Sequence, residues 1–295
     1  MSLDLPDLSG KTAIVTGASR GIGKALAIAL GKQGCAVVCA AKSETERENL
    51  PGTIHMTAEE ITSSGGRALA FRCDVRNPEE VEAMVASAVE AFGSLDIVVN
   101  NAGALWWRGV TETPLNRFDL LIDVNLRGPY LLSYLASKIM IEQGRGGHIV
   151  NLAPPVDLRM LPGKTPYLIS KFGMTMLAHG LAGELAEHDI AVFNLWPATA
   201  IESQATINHQ LGTRENWRKP EILCDSMLVA IGRPVTEVSG RDLIDEDWLG
   251  ECGVPDCDVY NCVEGGMPLY IHGPKSLMQW KDRTGSVGKG QASGR

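Results

Sequence analysis

Tyr167 and Lys171 are the two residues of this sequence with the clearest potential for chemistry, because they lie four positions apart in a segment with helical spacing. In a helix this separation puts both side chains on one face. An ammonium group beside a phenol stabilises the phenolate, so it lowers the phenol pKa toward a range that suits proton transfer. The pair therefore predicts a general acid–base group, although any helix can carry a Tyr and a Lys at this spacing by chance.

A glycine-rich turn forms the second candidate site. The strand-like run 12–16 leads directly into Gly17, Gly21 and Gly23, and a helix is expected to begin at about Gly23. Glycines let the backbone turn sharply and approach a pyrophosphate, while the free N–H groups at the start of the helix face the anion. The spacing GxxxGxG matches neither a P-loop nor the common GxGxxG fingerprint. We expect this turn to bind a dinucleotide; the alternative is a plain structural turn.

The residue that follows the second strand indicates which dinucleotide is preferred. Lys42 occupies this position instead of an acid. A carboxylate there would accept a hydrogen bond from the ribose 2′-hydroxyl of NAD, whereas a cation favours a 2′-phosphate. Arg20, in the glycine turn, could reach the same phosphate. Together they predict NADP(H) in preference to NAD(H), unless Lys42 merely begins a charged loop.

Strand-like and helix-like segments alternate along the first 250 residues. Short β-rich apolar runs occupy residues 12–16, 35–41, 68–73, 97–100, 148–152 and 191–196, and segments with helical spacing occupy 23–32, 56–63, 78–92, 117–142 and 166–186. Such alternation predicts an α/β protein with a parallel sheet and helices on both faces. We therefore expect a three-layer, doubly wound sheet of the Rossmann type, whose ligands bind beyond the carboxyl ends of the strands.

Composition narrows the possible partners and location. The 27 basic and 35 acidic residues give a formal net charge of −8, and no basic stripe is present, so nucleic acid is not expected as a partner. No apolar run is long enough to span a membrane, and the N-terminus does not look like a secretory signal, so a cytoplasmic protein is expected. Cys252, Cys257 and Cys262 are expected to be unpaired thiols, and no metal site is predicted.

The motifs in their order along the chain resemble the classical short-chain dehydrogenases/reductases. The resemblance rests on TGASRGIG at 16–23, Asp74, the sequence NNAG at 100–103, Asn125, and Tyr167 with Lys171. The stretches AAKSETERENLPGTIHMTAEEI, NLRGPY, NLAPP and LWPATAI are similar to the hydroxysteroid dehydrogenase-like branch of that family. We expect one domain over 1–280, with an extension from about 251, no sterol-carrier domain, and a tail without fixed structure over 281–295.

The resemblance implies a role for each matching residue. Tyr167 would exchange a proton with a carbonyl or alcohol oxygen while hydride moves to or from a nicotinamide, Lys171 would activate Tyr167, and Asn125 would interrupt its helix and hold a water that relays protons. The cofactor would be bound by Gly17, Ser19, Arg20, Gly21, Ile22, Gly23, Lys42, Asp74, Val75, Asn100, Ala102, Gly103, Tyr167, Lys171, Pro197, Thr199 and Ile201. A homodimer or homotetramer is also implied.

One departure from the family pattern concerns the serine that usually polarises the substrate carbonyl. Its position, thirteen residues before Tyr167, is occupied by Pro154, and neither Ala153 nor Pro155 carries a donor. Loss of one such donor costs about 10²–10³-fold in rate. Either Asp157, Thr165 or an ordered water takes the role, or the protein is a low-turnover dinucleotide-binding scaffold or sensor instead of an enzyme.

The remaining candidates concern the substrate. Trp106 and Trp107 follow the NNAG turn, so they are expected, together with Pro154 and Asp157, to form the wall of a pocket for an apolar carbonyl or alcohol; outer packing or a subunit contact is the alternative for the tryptophans. Residues 202–220 are polar and irregular, which favours a substrate lid.

Overall fold

Seven parallel strands form one sheet in the computed structural model, which describes residues 3–48 and 50–271. The strands are β1 (Thr12–Thr16), β2 (Ala36–Ala41), β3 (Arg67–Arg72), β4 (Ile97–Asn100), β5 (Gly147–Leu152), β6 (Ile190–Trp196) and β7 (Asp242–Ile244). Their spatial order is β3-β2-β1-β4-β5-β6-β7. The predicted doubly wound fold is therefore confirmed. The chain reverses its direction of travel across the sheet between β1 and β4, where ligands of such sheets bind.

Helices cover both faces of the sheet. They are α1 (Gly21–Lys32), α2 (Ile54–Ser63), α3 (Pro78–Phe92), α4 (Leu115–Ile122), α5 (Gly128–Gln143), α6 (Thr165–Glu184), α7 (Gln204–Asn208), α8 (Glu221–Ile231), α9 (Val235–Val238) and α10 (Asp245–Glu251). Apolar residues of α1, α2 and α8 join one buried cluster, and those of α3, α5 and α6 join the other. The sheet lies between these two cores. Because both of its faces are covered, the strands β1, β4 and β6 are buried throughout.

One of the sequence-based helix assignments is wrong, and the elements that follow β6, namely β7 and α7–α10, were not predicted. The single helix expected over 117–142 is α4 and α5 joined by a π-helical segment, Asp123–Arg127. The apolar spacing continues through the junction, but the buried side chain of Asn125 bonds to a neighbouring loop there. The edge strand β7 was not predicted, because it has only three residues and begins with Asp242. The other predicted strands and helices agree with the structure within two residues at each end.

Residues 251–271 pack back onto the domain. The Tyr260 hydroxyl donates to the Asp225 carboxylate at 2.6 Å. The Ala200 amide donates to the carbonyl oxygen of Leu269 at 2.8 Å, and the Ile271 amide donates to that of Ala198 at 3.0 Å. All seven cysteines are free thiols. The predicted tail, 281–295, lies outside the described residues, and no helix within 3–48 or 50–271 is long and apolar enough to cross a membrane.

Asp245, the first residue of α10, holds the loop that follows β6. Its carboxylate is buried and accepts hydrogen bonds from the backbone amides of Ala198 at 2.9 Å and Glu246 at 2.7 Å. Burial outweighs these bonds and raises the pKa of Asp245 to about 7. The carboxyl group therefore gains a proton near neutrality in the folded protein.

The raised pKa of Asp245 predicts a pH-dependent stability. Because an unfolded Asp has a pKa of about 3.9, the folded state binds the proton more tightly, and the free energy of unfolding should fall between about pH 4 and pH 7 and then level off. Asp245→Asn keeps the oxygen acceptor without the charge. Its stability relative to wild type should rise by about 2–3 kcal/mol from pH 5 to pH 8 in denaturant titrations. An equal difference at both pH values would contradict the role of this group.

Candidate active site

A cavity of about 940 Å³ lies at the carboxyl edge of the sheet. The loops after six strands line it, with residues 17 and 19–23 after β1, 42–43 after β2, 73–75 after β3, 101–105 after β4, 153–155 after β5, and 197 and 199–201 after β6. Parallel strands end at one edge, so residues far apart in sequence meet here. The cavity brings together most of the predicted site residues; Asn100, Asn125, Trp106 and Asp157 do not line it.

The glycine turn between β1 and α1 has the geometry of an anion-binding loop. Gly17 and Gly21 have positive φ angles of 70° and 55°, and this backbone conformation is strained for a residue that carries a side chain. A Cβ on Gly23 would overlap the carbonyl oxygen of Gly17 and the side-chain nitrogen of Asn101. Arg20, at the N-cap of α1, makes no side-chain capping bond, so the first amides of α1 are left for a ligand. The positive end of this helix faces the cavity.

Thr16 and Asn101 fasten this turn to the end of β4. The Thr16 hydroxyl oxygen accepts from the backbone amides of Asn101 and Ala102, both at 3.1 Å, and the Asn101 side chain donates to the carbonyl oxygen of Thr16 at 2.9 Å. Both residues belong to motifs that support the family resemblance, but sequence reasoning gave neither of them a role in the site. The signal in the sequence that could have indicated these roles is a polar residue at the carboxyl end of β1 and another directly after β4.

Lys42 and Asp74 lie together at the end of the cavity beside β2 and β3. The Lys42 ammonium is 3.6 Å from the Asp74 carboxylate, which also binds the Arg76 guanidinium at 2.6 Å. Hydrogen bonding from Arg76 is the main reason why the pKa of Asp74 is lowered to about 2. The Lys42 side chain is 55% exposed, so this positive charge is accessible to a ligand.

Arg20 makes contacts that the sequence does not indicate. Its guanidinium donates to the carbonyl oxygens of Leu50, Pro51 and Gly52, at 3.2, 2.9 and 3.0 Å. These bonds tie the loop after β2 to the glycine turn. Arg20 also lines the cavity. Its Nε and Nη2 atoms donate to the protein, so Lys42, whose side chain is 55% exposed, is the more accessible cation for a phosphate.

Lys171 lies near the NNAG loop at the opposite end of the cavity. Its ammonium donates to the carbonyl oxygen of Leu152 at 2.8 Å. A Cβ on Gly103 would be 3.8 Å from this ammonium and 3.6 Å from the side-chain oxygen of Asn125, which places both groups close to Gly103. Lys171 and Tyr167 both lie on α6 and both line the cavity.

The expected lowering of the Tyr167 pKa is not observed in this structure. Burial raises the pKa of the Tyr167 phenol and lowers that of the Lys171 ammonium to about 8. Removal from water disfavours the charged form of each group, and this effect exceeds any attraction between them. Tyr167 is therefore a protonated donor at neutral pH.

Asn125 connects three parts of the site from the π-helical segment. Its amide nitrogen donates to the carbonyl oxygen of Ala104 and to the Ser170 hydroxyl, both at 2.9 Å, and its oxygen accepts from the Ala104 amide at 2.8 Å. These bonds join the loop after β4 to α6. The predicted role of Asn125 in holding a relay water remains a prediction.

Asn100 lies beneath the cavity. Its side chain is buried and donates to Asn151 on β5 at 2.9 Å and to Ser133 on α5 at 3.2 Å. Asn151 in turn donates to the carbonyl oxygen of Met174 on α6 at 3.2 Å. This buried polar chain fixes α6 against the sheet, so it acts on the position of Tyr167 and Lys171 from below.

The groups suggested as substitutes for the missing serine are already engaged. Ala153, Pro154 and Pro155 line the cavity and carry no side-chain donor. The Thr165 hydroxyl donates to the carbonyl oxygen of Leu161 at 2.9 Å. Asp157 accepts from the Arg159 guanidinium at 2.6 Å and does not line the cavity.

The two tryptophans have different environments. Trp107 lines the cavity, and its ring centre is 6.4 Å from that of Tyr167. Trp106 does not line the cavity; the Arg117 guanidinium lies 5.2 Å from its ring centre. Trp107 is therefore the tryptophan placed to meet a substrate, and Trp106 packs outside.

Two later segments complete the cavity wall. Residues 203–206 and 208–212, which include most of α7, line one side, in the region predicted as a lid. Leu269, Tyr270 and Ile271 line it as well, and this contribution was missed because nothing local in the sequence marks these residues. Thr199 is buried beside them, and its hydroxyl has no hydrogen-bond partner.

The parallel sheet, its glycine turn and the cavity at the switch point define a Rossmann-type fold. Residues 11–211 match the family described as short chain dehydrogenase, and the chain belongs to this family. It falls within the hydroxysteroid dehydrogenase-like branch, since it is 43% identical over 290 residues to hydroxysteroid dehydrogenase-like protein 2 of Danio rerio. That match covers 95% of this chain and 68% of the relative.

Other relatives extend the comparison. The human protein of the same name is 40% identical over 268 residues, and the match covers 89% of this chain but 62% of the human protein. A crystal structure of a short chain dehydrogenase from Mycobacterium thermoresistibile has a TM-score of 0.83 at 40% identity, covering 90% of this chain and 97% of that one. A metagenomic short-chain oxidoreductase in complex with NADP has a TM-score of 0.67 at 30% identity, covering 81% and 97%.

Proposed function

We propose that this protein is an NADP(H)-dependent oxidoreductase that transfers hydride between the nicotinamide and a carbonyl or secondary alcohol, with Tyr167 as the general acid–base group. The observation that carries the proposal is the position of Tyr167 and Lys171 on one helix at the wall of the cavity that the glycine turn also lines. Consumption of NADPH by the purified protein with a panel of ketones and aldehydes tests it. Dinucleotide binding without any turnover would favour the scaffold alternative, which family membership does not favour.

The residues of the cavity fit a nicotinamide dinucleotide. The amides at the start of α1 suit a pyrophosphate, and the buried Thr199 hydroxyl without a partner suits the nicotinamide carboxamide. Asp74, Val75 and Ala102 would hold the adenosine half, while Pro197 and Ile201 would pack against the nicotinamide. When bound, the dinucleotide supplies or accepts the hydride.

The side chains around Tyr167 would handle the proton. Burial keeps Tyr167 protonated, so it can donate to the oxygen of a carbonyl as negative charge develops there. The Lys171 ammonium would stabilise the resulting phenolate, and its lowered pKa, about 8, allows it to pass on a proton near neutral pH. Asn125 holds the loop and α6 in register through its bonds to Ala104 and Ser170.

We attribute the proposed preference for NADP(H) to Lys42. Its accessible ammonium lies next to Asp74 after β2, where a 2′-phosphate would be bound. The relative crystallised with NADP supports this choice. Lys42→Ser should raise the KM for NADPH by about tenfold, since loss of about 1.4 kcal/mol of binding is one order of magnitude. The KM for NADH should change little.

Steady-state kinetics with both cofactors measures this effect. Lys32→Ser is the matched control, because Lys32 is an exposed lysine in the last turn of α1 that does not line the cavity. A parallel rise in the KM for both cofactors would contradict recognition of the 2′-phosphate by Lys42.

We also propose that the protein forms a homo-oligomer. Helices α5 and α6 expose large apolar side chains, namely Tyr130, Tyr134, Ile141, Ile169 and Met176. A self-complementary contact between copies would bury them. Light scattering should give a dimeric or tetrameric mass, and a strictly monomeric protein would contradict the expectation. The cytoplasmic location stays a prediction.

A further inference from the structure

A short antiparallel pairing joins residues 269–271 to the loop that follows β6. The Ile271 amide donates to the carbonyl oxygen of Ala198 at 3.0 Å, and the Ala200 amide donates to that of Leu269 at 2.8 Å. All three residues of the segment 269–271 also line the cavity. This segment therefore contributes to the wall of the site and also to the backbone contacts that shape the neighbouring loop.

Thr199 lies between the two bonded residues of that loop. Hydrogen bonds in an antiparallel pair alternate along each strand, so the backbone groups of Thr199 point away from residues 269–271. Its side chain is buried and lines the cavity, and its hydroxyl has no hydrogen-bond partner among the described residues. A buried hydroxyl without a partner is costly, so this group suits a polar ligand atom. The pairing with residues 269–271 therefore sets the position of a group that is open to a ligand.

The first two residues of α10 fasten both partners of the pairing. The Asp245 carboxylate accepts a hydrogen bond from the Ala198 amide at 2.9 Å. The Glu246 carboxylate accepts from the Tyr270 hydroxyl at 3.1 Å and from the Arg218 guanidinium at 2.9 Å. Arg218 is itself buried. Two neighbouring carboxylates therefore tie the loop and the segment 269–271 to the same helix.

We propose that residues 269–271 are positioning residues for the nicotinamide half of the dinucleotide, because their pairing with the loop after β6 holds Thr199 where the carboxamide binds. The proposal rests on the dinucleotide-dependent function proposed above. A misplacement of about 1 Å in such a site can cost about 10²-fold in rate. The glycine turn and Lys42 follow other strands, so release of the pairing should weaken binding of the nicotinamide half and leave the adenosine half in place.

A pair of ligands isolates the contribution of the nicotinamide. Calorimetry compares NADPH with 2′-phospho-ADP-ribose, which lacks the nicotinamide but keeps the pyrophosphate, both riboses and the 2′-phosphate. Wild type should bind NADPH at least about tenfold more tightly, the factor expected for one or two hydrogen bonds to the carboxamide. The readout is the ratio of the two dissociation constants, because a general loss of structure would weaken both ligands alike.

Substitutions at Ile271 test the backbone pairing itself. Ile271→Pro removes the amide that donates to Ala198. It should lower the ratio by about 3–10-fold, while the dissociation constant of 2′-phospho-ADP-ribose stays within about twofold of wild type. Ile271→Ala keeps the amide and should retain most of the ratio. Met267→Ala is the control, because Met267 is 76% exposed and does not line the cavity; it should bind both ligands like wild type.

Substitutions at Asp245 test the same loop from its other contact. Asp245→Ala removes the acceptor of the Ala198 amide, and it should lower the ratio by a similar factor of about 3–10. Asp245→Asn keeps an acceptor oxygen and should restore most of the ratio. Thermal denaturation shows which variants are folded at the temperature of the titrations.

The outcomes separate this proposal from the oxidoreductase function. If wild type reduces ketones, but folded Ile271→Pro and Asp245→Ala change the affinities for both ligands equally or not at all, the positioning role is overturned and the oxidoreductase function stands. Equal binding of both ligands by wild type also overturns the positioning role. If the variants lower the ratio selectively but wild type reduces no ketone, the positioning role stands and the oxidoreductase function is overturned. Failure of wild type to bind either ligand overturns both.

Discussion

Replacing Tyr167 with phenylalanine is expected to lower kcat by about 10²–10⁴-fold, the usual contribution of a general acid–base group. The phenol is the proton donor proposed for the carbonyl oxygen, and burial keeps it protonated. Phenylalanine retains the ring, so its packing against the wall near Trp107 should persist. The dissociation constant of NADPH should therefore change by less than about threefold.

Single-turnover kinetics and fluorescence titration with NADPH make the comparison. Tyr130→Phe is the control, because Tyr130 is 57% exposed on α5 and does not line the cavity. It should turn over like wild type. If Tyr167→Phe retains wild-type kcat, Tyr167 is not the acid–base group and the proposed mechanism is wrong. If its kcat falls only in parallel with NADPH affinity, Tyr167 acts in cofactor binding alone.

Replacing Gly23 with alanine should weaken dinucleotide binding by at least about 100-fold, which corresponds to about 2.7 kcal/mol. A methyl group at this position would overlap the carbonyl oxygen of Gly17 and the side-chain nitrogen of Asn101. Both belong to the rigid connection between the glycine turn and β4, so the turn must move. That movement would displace the amides at the start of α1 that are proposed to face the pyrophosphate.

Calorimetric titration with NADPH and thermal denaturation measure the two effects of Gly23→Ala. Gly250→Ala is the matched control: Gly250 lies in α10, and an added Cβ there would have no neighbour within 4 Å. This variant should bind NADPH like wild type and be as stable or slightly more stable, because alanine favours helix. Wild-type affinity in Gly23→Ala would show that the turn does not hold the pyrophosphate.

Much of the candidate site follows from short-range features of the chain. A glycine with positive φ, such as Gly17, marks a turn that other residues cannot make without strain. Tyr167 and Lys171 share a helix face because of their spacing alone. These features are visible in a sequence because the physical constraint acts within a few residues.

Other parts of the site depend on which distant segments meet. The guanidinium of Arg20 binds carbonyl groups of residues 50–52, about thirty positions along the chain, and its sequence position beside the glycines does not indicate these partners. Ile271 and its neighbours line the cavity because their backbone pairs with the loop at Ala198 and Ala200. No periodicity or motif in residues 269–271 signals that pairing.

The sequence by itself determined the doubly wound sheet, the glycine turn and the shared helix face of Tyr167 and Lys171, because alternation of apolar runs and fixed local spacings encode them. The tertiary structure alone decided the electrostatics of the site. Burial, which exists only after packing, raises the pKa of Tyr167 and lowers those of Lys164 and Lys171. Packing also placed Lys164 against Trp107, a contact that its sequence position does not indicate.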